Sequence, residues 1–237
     1  AGGAASTRPT ILAARQEFES IGYRLGMAQS DLTMAHTDHR EGLWQDAREV
    51  ALSARQAFRD LANPRGEAGC ERILTMIAID SEQIDVADEH ARAAAFLFDK
   101  LADPWGQVEV RLLLAQIGLC RGDADSAREH LIACEAVALV ESEPKQHRHL
   151  TKAWLAYHEG RFHEAGRELD AARAAFKDPI RTGDHTPMLL NRYAEMGWPK
   201  PAGTRVETWR ASLSSIGAKT SRAAKELGLR GGVTQSR

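Results

Sequence analysis

The residues best equipped for chemistry are scattered along this chain, and their spacing decides what they can do. His36, Asp38 and His39 come closest to a metal-ligand cluster. The i, i+3 histidine pair nevertheless falls at the end of a helical stretch and lacks a further ligand, so a solvated or partner-facing patch is expected and no metal is predicted. His163-Glu164 opens like H-E-x-x-H but continues Ala165-Gly166-Arg167, which removes the second zinc ligand. Gly217-Ala-Lys-Thr220 has the Lys-Thr pair of a phosphate loop without a glycine directly before the lysine or four residues farther upstream. The acid pairs Asp123/Asp125 and Glu141/Glu143 sit at turns, where carboxylates cap helices or face water. Neither G-x-G-x-x-G nor G-x-S-x-G occurs. These patterns predict no catalytic residue and no cofactor, and the chain reads as a binding protein, not an enzyme.

The elements that carry these residues repeat. Ala14-Arg-Gln-Glu-Phe18 followed by Gly26-Met-Ala28 recurs forty residues later as Ala54-Arg-Gln-Ala-Phe58 followed by Gly66-Glu-Ala68, and Phe98 with Gly106 continues the series. Pro64, Pro104 and Pro144 keep the same step, as do Ala47, Ala87 and Ala127. A slightly shorter fourth unit carries Ala165 and Ala172-Arg-Ala-Ala-Phe176. Apolar residues within each unit follow helical spacing, and breakers fall at Gly42, Gly122 and Gly160 inside units and at Asn63-Pro64, Asp103-Pro104 and Glu143-Pro144 between them. The spacing predicts helix A at 27–40, 66–80, 105–120 and 145–158, and helix B at 44–61, 84–101, 124–140 and 162–177. One hairpin cannot bury its apolar face alone, so hairpins stack, and the repeated alanines allow close approach. The fold class is therefore all-α, an array of antiparallel helix hairpins over residues 10–178, preceded by a linker at 1–9 and followed by a basic helical tail at 179–237.

This pattern resembles the tetratricopeptide repeat family. The residues that carry the likeness are a turn glycine followed two positions later by an aromatic (Gly42 and Trp44, Gly160 and Phe162), then alanine (Ala47, Ala165), with proline after helix B. The forty-residue period and the Phe-x-x-Leu-x-[Asn/Asp]-Pro-x-Gly strings at Phe58–Gly66 and Phe98–Gly106 are similar to the long-helix variety of bacterial signalling and regulatory proteins. Glu82 departs from the pattern where a turn glycine is expected, and Glu141 where the interhelix leucine is expected. The resemblance implies a right-handed superhelical solenoid whose A helices line a concave, partner-binding face. By register that face carries His36, His39 and Arg40, then Arg72, Met76 and Ile79, then Gln116 and Leu119, then Trp154, Tyr157 and His158. Trp154, Tyr157 and Arg72 are the expected contributors of binding energy, although the two aromatics would equally serve packing against the C-terminal helices. Lys145, Arg148 and Lys152, in a cluster with His147 and His149, would form a solvated face, the commoner outcome for such a charge run, or else hold an anion or pair with acids of the array itself.

Composition sets the remaining expectations. The net charge of −2 gives no overall field for nucleic acid or membrane. From Lys200 onward, however, eight Lys or Arg face two acids. Within this tail Thr220-Ser-Arg-Ala-Ala-Lys-Glu-Leu-Gly-Leu229 resembles the start of a Fis-type helix-turn-helix, but Arg230-Gly231-Gly232 stands where the recognition helix would begin. A capping helix or relic is therefore expected in preference to a DNA reader. Cys70, Cys120 and Cys134 lack C-x-x-C spacing and suit a reducing compartment, so the cytoplasm is expected. No apolar run is long enough to span a membrane. Residues 10–21 align with a helix B lacking its helix A. The chain is thus expected to start inside a larger array, and the apolar surface at that end would suit a homodimer. Two functions follow: a scaffold for a protein, peptide or linked domain in a signalling or regulatory protein, or the effector-sensing part of a transcription regulator.

Overall fold

The computed structural model describes residues 7–137 and 145–175. The expectations for residues 1–6, for Glu141 and for the tail from 179 onward, including the helix-turn-helix-like string, lie outside the described residues. Among the described residues there are helices and no strand: α1 (Arg8–Ser20), α2 (Arg24–Arg40), α3 (Trp44–Asp60), α4 (Pro64–Asp80), α5 (Ile84–Lys100), α6 (Pro104–Cys120), α7 (Ala124–Glu135), α8 (Lys145–His158) and α9 (Phe162–Ala175). Arg8 and Pro9, expected in the linker, open α1. The other helices fall close to where the breakers placed them. None of the described helices is long and apolar enough to cross a membrane.

Two compact units divide the chain, residues 1–113 and 114–237. In the first, α1 packs on α2, α2 on α3, α3 on α4 and α4 on α5, while α2 also meets α4. In the second, α7 packs on α8 and α8 on α9. Consecutive helices packing on one another make this a repeat-like all-α fold.

One joint recurs throughout. Each helix from α1 to α6 ends in a residue with positive φ: Gly22 (67°), Gly42 (78°), Ala62 (49°), Glu82 (60°), Ala102 (48°) and Gly122 (76°). The next N–H then donates to a carbonyl five residues back, Tyr23 to Phe18 and Leu43 to Asp38, and so on to Asp123 and Gly118. This Schellman arrangement satisfies carbonyls that a helix end would otherwise leave bare. Glu82 adopts the same conformation as the glycine it replaces, so this departure leaves the joint intact.

The Asn/Asp-Pro-x-Gly strings are a second device. Asn63 Oδ1 accepts from the Gly66 N–H at 2.9 Å, Asp103 Oδ1 from Gly106 at 3.1 Å, and Pro64 or Pro104 starts the helix. The glycine is required because the preceding phenylalanine lies on it: a Cβ at Gly66 would stand 2.2 Å from Phe58, and one at Gly106 2.1 Å from Phe98. Inside the hairpins, Ala47, Ala51 and Ala54 of α3 and Ala87, Ala91 and Ala94 of α5 are fully buried. Small side chains at i, i+4 and i+7 bring the helices together.

Candidate binding surfaces

The outward face of the A helices is largely interior. Met76, Ile79, Gln116, Leu119 and Trp154 are at most 2% exposed, and His39 is also buried. These residues were expected to be offered to a partner; they are core instead. Helices α4 and α6 are apolar around most of their circumference, and a helix of that kind packs on all sides. His36 and Arg40 remain partly exposed, and His158 is exposed. The side chains of Tyr157 and Lys145 lie outside the described residues.

Several of the expected contact residues are tied to their neighbours. Arg72 Nη1 lies 3.3 Å from Oε2 of the buried Glu109 and 3.5 Å from Met76 Sδ, and its guanidinium stands over the Trp105 ring at 5.6 Å. It links α4 to the start of α6 and is not a free hot spot. His39 Nε2 meets Asp80 Oδ2 at 2.7 Å, while Asp38 Oδ1 is 2.8 Å from Arg8 Nη1. His39 and Asp38 are thus drawn to two different partners. Gln116 Nε2 bonds His147 and, at 3.2 Å, Thr151.

The basic cluster of α8 is matched in the same way. Lys152 pairs with Glu135, whose carboxyl is lowered mainly by that hydrogen bond, and His149 Nδ1 meets Glu168 Oε2 at 2.6 Å. Lys152 is therefore engaged by an acid of the array and does not stand open to an anion. Arg148 is half-buried.

Two grooves lie on the B-helix side. The first runs between α1 and α3 over α2, with a volume of about 370 Å³, and is lined by Arg8, Asp31, Asp38, Asp46 and Glu49 around Leu12, Met34 and Val50. The second runs between α3 and α5 over α4, with about 230 Å³. Its lining is Trp44, Arg48 and His90 around Leu74, Ile77, Ala78 and Val86. They are the same place one repeat apart: Arg8 corresponds to Arg48, Asp38 to Ala78, Asp46 to Val86 and Val50 to His90. Writing the sequence in rows of forty would have shown these exchanges, but nothing local marks either set as lining a groove.

Beneath the second groove lies a buried carboxylate with three partners. Glu71, 2% exposed, accepts from Arg55 Nη1 at 3.1 Å and Arg59 Nη2 at 3.3 Å, and meets His90 Nδ1 at 2.7 Å. Burial alone would raise its pKa; His90 and Arg55 together outweigh burial and lower it. Asp38 shows the opposite balance, since burial raises its carboxyl more than Arg8 pulls it down. The chain has no match among protein-family profiles or curated proteins.

Proposed function

We propose that this chain is a non-catalytic array of the tetratricopeptide type, forming a right-handed superhelical solenoid, that holds another protein or a linked domain of a bacterial signalling or regulatory protein in the cytoplasm. The observation that supports this reading is the division of labour within the forty-residue unit. The positive-φ joints recur from α1 to α6, the Phe-on-Gly contact at Gly26, Gly66 and Gly106, the buried alanine triplet in α3 and α5, and the Asn/Asp cap at α4 and α6. Side chains lining the grooves, in contrast, change charge and size from one repeat to the next. Constant joints with variable groove linings suit a scaffold that reads different chemistry at each step.

The test is affinity capture from lysate of the source cells with the intact chain, against a His36→Ala, Arg40→Ala variant and a Trp44→Ala, Arg48→Ala variant of unchanged thermal stability. A protein retained by wild type and lost with either variant supports the scaffold. A folded chain that retains no protein but carries a small molecule, seen by native mass spectrometry, would overturn it in favour of an effector sensor.

A further inference from the structure

The first groove shows what an arginine at this position of the repeat meets. Arg8 Nη1 stands 2.8 Å from Oδ1 of Asp38, a carboxylate with no exposure to solvent. In the second groove the arginine is kept as Arg48 while the built-in carboxylate is gone, because Ala78 occupies the place of Asp38 and Val86 that of Asp46. Arg48 is exposed and, among the described residues, pairs with no carboxylate. No aspartate or glutamate lines this groove. Replacing Asp38 by Ala78 removes one carboxylate group from the floor and leaves the arginine above it.

We infer that the groove between α3 and α5 binds an acidic side chain of a partner peptide, the incoming carboxylate meeting Arg48 in the place that Asp38 fills for Arg8. The inference rests on the scaffold reading above and names the chemistry of its partner. Apolar Leu74, Ile77 and Val86, with the rim residue Trp44 at 39% exposure, take a large aliphatic neighbour of that acid. His90, whose Nδ1 is engaged by Glu71, leaves Nε2 as the ring nitrogen for the groove. The volume of about 230 Å³ falls below the roughly 300–1,000 Å³ of typical small-molecule sites and suits one or two side chains of a longer ligand. Charged partners make stronger hydrogen bonds than neutral ones, so a carboxylate is favoured over its amide.

The experiment is fluorescence anisotropy of the full chain with a fluorescein-labelled Gly-Leu-Glu-Leu-Gly peptide and its Gly-Leu-Gln-Leu-Gly counterpart. The glutamate peptide is expected to bind about tenfold more tightly than the glutamine peptide, in keeping with the extra strength of a charge-assisted hydrogen bond. Arg48→Ala should remove that preference, Arg48→Lys should keep part of it, and Arg8→Ala should leave it unchanged. Ala78→Asp should abolish binding by restoring the internal partner; because this position is buried, the exposed Arg48→Ala variant provides the reading if that protein fails to fold. Equal binding of the two peptides, undiminished binding by Arg48→Ala, absence of binding at millimolar peptide, or occupation by hexanoate in preference to the peptide would each overturn the inference. Lysate capture that survives Arg48→Ala would sink it alone and leave the scaffold standing.

Discussion

Between α1 and α3 a buried aspartate faces one arginine, whereas between α3 and α5 an arginine faces an apolar floor, with a fully bonded glutamate beneath it. The backbone under the two grooves is the same pair of seventeen-residue helices joined by the same turn. The difference shows that what holds the hairpin together is separable from what the hairpin presents. Joints and alanine contacts fix the geometry, and charge is free to vary on top of it. It also shows two ways of keeping a carboxylate inside: Glu71 with three partners on two neighbouring helices, and Asp38 with one.

The comparison breaks most visibly at Glu71. Glu71→Gln leaves Arg55, Arg59 and His90 without their counter-charge, and removing one member of a buried ion pair costs about 3–5 kcal/mol. Partial exposure of both arginines reduces this to roughly 2–4 kcal/mol by urea unfolding at pH 7. The folded pKa of Glu71 is lowered, so its contribution is present above the ordinary carboxylate range and fades as pH falls through the folded value. The variant and wild type should therefore converge on acidification. Next in size is Gly66→Ala, where the added Cβ meets the Phe58 ring; overpacking of about 1–3 kcal/mol is expected. A double-mutant cycle with Phe58→Ala should return a coupling between the two positions.

The smallest effect sharpens the contrast. The folded pKa of Asp38 is raised, so its ionised form opposes folding at neutral pH, and that penalty disappears as pH falls through the raised value. Asp38→Asn should leave stability unchanged or higher by up to about 1 kcal/mol at pH 7, with the gain lost in acid. A loss above about 2 kcal/mol would show that the Arg8 pair outweighs burial.

Much of this fold could be read from the order of residues, because its devices are local. Gly42, Asn63-Pro64, Gly66 and the alanines at 47 and 87 act within one turn or one hairpin, and each leaves a mark in the sequence. The expected partner-binding face was less legible. Its register placed Met76, Ile79 and Trp154 outward by symmetry, but which side of an apolar helix is covered depends on packing that no spacing reports. The apolar circumference of α6 was the available warning. Pairings such as Arg72 with Glu109 or His39 with Asp80 span 37 and 41 residues and belong to tertiary structure alone. Arg48 became informative only once its neighbour Ala78 could be compared with Asp38.

The recurring left-handed joint carries a mechanical consequence. Helices α2 to α6 are of one length and are clipped by turns of one design. Pulled from its ends, this stretch would pay out contour in equal instalments, each forty-residue hairpin releasing on the order of 140 Å of extended chain. Chain released in such equal steps reports how many hairpins have opened, not which ones.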